Sequence, residues 1–484
     1  MDLLFYRNNE LSGNRLIALS ETSPQMVSFS FFIVLSAILI GVFGTGNPAV
    51  LASTGILLLA GTLFLVRRTA LRQLGTSKTL CVLAFSLAVV HIFVGYILAG
   101  LTTEHTSIRS NAEIFFAKSM LINAVGLFGG AIGYLWRLPT VDSLNTRASS
   151  FTINIPLAEK LFRLTLLVGS GLMLYAYWKL GFMDYLLEPS KWPYLRYVTG
   201  DLMGGSASDE WLVNRAMDCL TVSLPFILMR ALKRPTFLRV VLGAIGYFAL
   251  LLPLRRANLL AVTLAVLILV GIERKSIYRF TRKALATIAI MYILSQCIFL
   301  LGVFANDIGP LQIVAVSSTA LPEVRDLGWT LSLLDGGSLD GVTFIQALIP
   351  VPSIASDWST KHSLRAISTK LIGLDQTGET GGLRLTIMGE GYVNFGYFGA
   401  VLAGFLWGLG VAWCERLLLA AGKDEPEFTN YTAVLSFVAI CFLVYLAGTQ
   451  AAASIKVGTF LALGIAWISK NRDGITQLWP SQQT

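Results

Sequence analysis

Between Asn306 and Gly399 the chain carries many of the side chains that could do chemistry. Glu390 stands in Met388-Gly389-Glu390-Gly391-Tyr392-Val393-Asn394, just ahead of the apolar run that begins with Phe395. Desolvation raises a carboxylate's pKa and suits it to take a proton from a hydroxyl. Glu390 is therefore a candidate general base, with capping of the loop as the plainer alternative. His362, in Lys361-His362-Ser363, is a second candidate base, to be weighed against an exposed loop histidine with no role. Arg325, Lys361, Arg365, Lys370 and Arg384 supply cations in the same stretch. Any anionic leaving group handled there must be stabilised by such groups.

A second feature is Leu252-Pro253-Leu254-Arg255-Arg256-Ala257-Asn258. It falls between two short apolar runs, which predicts a tight hairpin with Arg255 and Arg256 at the outer mouth of the bundle. Adjacent guanidiniums present forked donors that match phosphate oxygens, so the pair suggests a lipid phosphate or pyrophosphate. Snorkelling of both side chains to the headgroups is the competing reading. No Asp-x-Asp pair occurs and His91, His105 and His362 are far apart, so neither a metal nor another cofactor is expected. The five cysteines all fall within apolar runs and read as small hydrophobes.

The elements that must position these groups are membrane helices. Of 484 residues, 55% are hydrophobic and 13% charged, and the mean hydropathy is +0.68; soluble domains are about 25% charged. The pattern predicts an all-α polytopic membrane protein, residues 1–484 forming one integral membrane domain. The short alternating segments of a β-barrel are absent. About twelve spans account for the apolar runs, near 26–44, 48–66, 79–100, 114–136, 161–181, 211–230, 238–254, 257–272, 284–305, 394–414, 430–448 and 451–468. The first is read as an anchor and not as a cleaved signal. Basic residues cluster in the loops at 67–78, 230–239 and 274–283, which places both termini in the cytoplasm. The net charge of +9 thus reflects orientation, and no nucleic-acid partner is implied. Residues 306–393 then form one large periplasmic loop between the ninth and tenth spans. Trp211, with Trp192, Tyr194 and Tyr197, suits the headgroup level. Lys118, Arg215 and Asp218 lie at membrane depth, and the spacing of the last two allows them to pair.

At three patches the sequence resembles the Wzy-type polymerases of O-antigen and related repeat-unit polysaccharides. These are Arg255-Arg256-Ala257-Asn258, Ile349-Pro350-Val351-Pro352 with its downstream cations, and Gly389-Glu390-Gly391-Tyr392-Val393-Asn394-Phe395-Gly396, which looks like the family's G-E-x-Y-x-N-x-G. The resemblance implies a fold like the metal-independent, GT-C-like membrane glycosyltransferases, in the bacterial inner membrane. It implies transfer of a growing glycan from undecaprenyl pyrophosphate onto the non-reducing end of a lipid-linked repeat unit at the periplasmic face. A co-polymerase that sets chain length would be a protein partner. On this reading Arg255 and Arg256, with Arg325, Lys361, Arg365 or Arg384, hold the pyrophosphate. Glu390 or His362 takes the acceptor proton, and Trp358, Tyr392 and Asn394 contact the glycan. An O-antigen-type ligase using the same donor and a lipid-linked oligosaccharide flippase are the alternatives.

Overall fold

The computed structural model describes residues 50–59, 61–62, 80–106, 112–136, 154–181, 206–253, 256–273, 323–348, 361–364, 366–367, 370, 383–420 and 426–478. Among the described residues there is no strand. The helices are α1 Val50–Leu59, then α2 Leu80–Thr106, α3 Ala112–Trp136, α4 Ile155–Lys179, α5 Ala207–Lys233, α6 Phe237–Leu251, α7 Arg256–Glu273, α8 Glu323–Leu334, α9 Val342–Leu348, α10 Ile387–Ala420 and α11 Pro426–Phe437. A π-helical segment, Val438–Leu443, follows and leads into α12, Val444–Leu478. Among the described residues, five segments are long and apolar enough to cross a membrane: Phe115–Trp136, Ile155–Lys179, Ser208–Lys233, Ile387–Leu418 and Phe428–Leu446. The chain is thus a multi-pass helical membrane protein. The expected spans at 26–44 and 284–305 lie outside the described residues.

Helices α4 and α5 begin on well-formed caps. Asn154 Oδ1 accepts from the Leu157 amide at 3.0 Å, and Ser206 and Asp209 form a reciprocal capping box. The pair runs antiparallel, with Lys179 bonded to Asp209 at 2.6 Å at one end. At the other end Glu159 receives Arg163, Arg230 at 3.1 Å and Arg239 at 2.7 Å. Between the ends, Phe162 stacks on Phe226 with centroids 4.5 Å apart, and Tyr431 meets Phe162 edge-on. Arg230 and Arg239, read in the sequence as loop cations, are therefore tied to a buried carboxylate. Trp178 and Trp211, both largely exposed, mark the Lys179–Asp209 end, as interfacial tryptophans do.

Helix α6 has only 15 residues, about 22 Å, which is short of the roughly 30 Å hydrocarbon thickness. Gly243 packs on Leu228 and Gly246 on Leu224, so α6 climbs along the second half of α5. Asn258, near the start of α7, donates its amide to Thr221 Oγ1 at 3.3 Å. Thr221 is close to the middle of α5. The beginning of α7 is therefore sunk into the bundle, about level with the Arg215–Asp218 pair, whose nitrogen and oxygen are 2.9 Å apart.

The tightest seam joins α3 to α10. A β-carbon added to Gly404 would collide with the Gly126 carbonyl, and one added to Gly408 with the Gly130 carbonyl. Gly129 and Gly133 meet the backbone of Val401 and Phe405 in the same way. Small residues at four-residue spacing let two helical backbones touch, the usual solution where lipid offers no hydrophobic drive to association.

The interval expected as one outer loop is largely helical where it is described. All residues from Glu323 to Ser332 in α8 are buried. Gly328 sits against Phe116 of α3, and Leu327 and Leu331 share a small core with Ile122, Leu385, Val393 and Ala400. The described part of 306–393 thus packs against α3 and the start of α10. Asp335-Gly336 and Asp340-Gly341 have positive φ throughout, so these two acids serve turns, as Asp-Gly pairs commonly do.

Candidate functional site

The site is built on two helix reversals. Helix α10 starts with Thr386, whose hydroxyl accepts from the Gly389 amide at 2.9 Å and donates to Asn123 Oδ1 of α3. Asn123 in turn donates to the Ser119 carbonyl at 2.9 Å. This network fixes the first turn of α10 against α3. Eight residues along a straight helix, Gly391 and Gly399 would be about 12 Å apart. Here each would clash with the other's carbonyl if it bore a β-carbon. The chain doubles back at Phe395 and Gly396, where Gly396 has φ 63 and ψ −156. Glu390 is thus not at a loop exit, as the sequence suggested, but in the opening turns of a short helix, 387–394, folded against its own continuation.

Gly448 has almost the same backbone conformation, φ 56 and ψ −142, and breaks α12. That region is essentially restricted to glycine. A β-carbon at Gly448 would overlap Glu390 Oε2, so the carboxylate lies directly against the broken backbone. Glu390 is 2% exposed.

Asn394 donates to the Glu390 carbonyl and to Thr343 Oγ1 of α9, both at 2.8 Å. Its own Oδ1 is buried with no hydrogen-bond partner among the described residues. Tyr392 is half-buried and meets Tyr397 edge-on at 5.0 Å, and Lys118 Nζ lies 5.6 Å from the centre of its ring. The membrane-depth lysine noticed in the sequence therefore stands beside Tyr392.

The other expected cations are distributed differently. Arg325 is buried, paired with Asp326 at 3.0 Å and stacked over Trp329 at 4.3 Å. It holds α8 together and does not project toward solvent. Asp326 also accepts from the Arg384 amide at 3.0 Å. Burial pushes its carboxyl above the usual range, while the neighbouring guanidiniums and that amide oppose the shift. The side chains of Arg384 and Lys361 are exposed, and His362 is half-buried in a short segment where Ser363 caps Ala366. Arg256 opens α7, and the position of its side chain lies outside what is described. Arg255, Trp358 and Arg365 lie outside the described residues.

One buried pair was missed. His91 Nε2 of α2 lies 2.9 Å from Glu323 Oε2 of α8, though the angle is not that of a hydrogen bond. The imidazole also meets Tyr445 edge-on at 5.6 Å. Tyr445 stands one helical turn before Gly448, so α2, α8, α10 and α12 converge here. Nothing local signals the pairing, because His91 and Glu323 are remote in sequence. Gly448 was legible only as the boundary between two apolar runs.

No protein-family model matches the chain, and no curated protein or solved structure matches it.

Proposed function

We propose that this protein is a bacterial inner-membrane glycosyltransferase that polymerises lipid-linked oligosaccharide repeat units at the periplasmic face. The observation that carries the reading is Glu390: one buried carboxylate, held by a folded-back helix and pressed on the break at Gly448. In the reaction a hydroxyl of the acceptor sugar attacks the anomeric carbon of the donor glycan. The new C–O bond forms as the bond to undecaprenyl pyrophosphate breaks. Glu390 takes the hydroxyl proton, and Arg255, Arg256 and the exposed Arg384 and Lys361 neutralise the departing pyrophosphate. Tyr392 and Lys118 line the acceptor's approach. Because Glu390 is buried, the break in α12 must yield for the acceptor to reach it. Glu390→Gln is expected to lower polymer formation by about 100-fold or more, the range general bases contribute, in a membrane assay with lipid-linked repeats. Unchanged polymer length and amount would end the reading.

A second reading has one specific observation in its favour. Two glycine-restricted helix breaks, at Gly396 and Gly448, are the kind of feature transporters use at a substrate site. The surface polysaccharide of a null strain separates the readings. Single repeats without a ladder support the polymerase, and finished polymer left on its lipid carrier supports a ligase. Repeats trapped on the cytoplasmic leaflet support a flippase.

A further inference from the structure

A cavity of about 650 Å³ lies within the bundle, walled by α5, α7, the end of α10, α11, the π-helical segment and α12. Its volume falls within the roughly 300–1,000 Å³ of ligand sites. It is elongated along the helices. On α12 its wall runs from Ile455 to Ala466, about 16 Å at 1.5 Å per residue. Its two ends differ in chemistry. One end holds Asp218, paired with Arg215 at 2.9 Å, and Asn258, bonded to Thr221 at 3.3 Å. The other end is walled by apolar groups such as Leu417, Phe428 and Ala466. Trp413 and Leu463 line the cavity and are 46% and 58% exposed. On membrane-crossing helices such exposure faces hydrocarbon, so the cavity opens sideways to lipid.

The π-helical turn points to the same place. Such turns are rare, and they are frequent at functional sites. Here Val438, Ala439 and Leu443 of that turn form part of the wall. The irregularity is supported from outside by Trp407, whose indole donates to the Cys441 carbonyl at 3.2 Å.

We infer that this cavity holds the hydrocarbon chain of a single-chain lipid whose polar head lies at the Asp218–Asn258 end. At roughly 30 Å³ for a water-sized or methylene-sized unit, the space takes on the order of 20 carbons, which suits part of one long chain better than the paired chains of a phospholipid. The occupant is the polyprenyl chain of the donor, an assignment that rests on the function proposed above. Asn258 lies at the start of α7 and lines the cavity, so a head held at the start of α7 would feed its chain into the polar end of the cavity. Asp218 and Arg215 then serve as a neutral, paired floor at the head end, and the apolar far end holds the chain.

The test uses the full chain in membranes and a short polyprenyl phosphate of about 20 carbons, matched to the cavity, carrying a terminal diazirine. After photolysis, labelled peptides are mapped by mass spectrometry. Label is expected on the α11–α12 wall at the apolar far end, around Phe428, Leu463 and Ala466, and unlabelled polyprenyl pyrophosphate should compete it away. Ala462→Leu and Ala439→Leu, which fill the cavity, should each cut the labelling at least tenfold while the protein still elutes as a single species. Absence of label from this wall overturns the inference. So does equal labelling by a diazirine phospholipid that polyprenyl pyrophosphate fails to displace. Glu390→Gln separates the two proposals: labelling retained with polymer lost supports both. If labelling and polymer are both retained, the function falls and the cavity's occupant stands.

Discussion

In the α3–α10 pair, backbone meets backbone across Gly126, Gly130, Gly404 and Gly408. The α4–α5 pair is spaced instead by Phe162 and Phe226 and closed by charges at both ends. The difference lies in tolerance. A glycine seam leaves no side chain to move aside, so it fixes the relative position of two helices closely. A seam of aromatic side chains can adjust rotamers, and its terminal ion pairs act as guides. The rigid pair is also the one that carries the candidate site: Asn123 of α3 holds Thr386 of α10, and Thr386 orients the turn that presents Glu390.

The comparison breaks most readily at the glycine seam. Gly404→Leu drives a side chain into the Gly126 backbone and should cost more than about 3 kcal/mol, seen as loss of monodisperse protein in size-exclusion chromatography. Gly171→Leu, at a glycine with nothing among the described residues within 4 Å of its added β-carbon, should leave the profile unchanged. If both behave alike, the seam is not special. Next in size is Gly448→Ala, which meets both the strained backbone and Glu390 Oε2. It should reduce polymer formation at least tenfold in the membrane assay while the glycine seam, and with it the yield of folded protein, is kept.

In the α4–α5 pair the expected effects are smaller. Glu159→Gln leaves Arg163, Arg230 and Arg239 facing a neutral amide. Arg163 is partly exposed, so the loss should be about 2 kcal/mol, less than for a fully buried pair, and read as a lower thermal midpoint. Lys179→Ala removes the exposed member of the other terminal pair and should shift that midpoint by less than the error of the measurement.

What was legible in advance was local. The i, i+3 spacing of Arg215 and Asp218 announced their pairing, because one helical turn sets the distance between them. Glu390 stood out between two glycines as an acid entering an apolar run. Its true setting did not stand out, because the reversal at Gly396 and the break at Gly448 are set by the backbone and by what packs on it. Glu159 drew no attention for the same reason: its partners Arg230 and Arg239 come from other helices. Arg325 looked like one more loop cation until α8 was seen buried around it.

By itself the sequence determined that this is a helical, multi-pass membrane protein, and where most of its apolar segments lie. Hydrophobic run length decides both through the thickness of the bilayer and the cost of unpaired backbone in lipid. Only the tertiary structure decided which charges meet, how deep α7 begins and what faces Glu390. Those depend on the register between helices, which here is set by glycines that allow contact at a few positions and exclude it elsewhere.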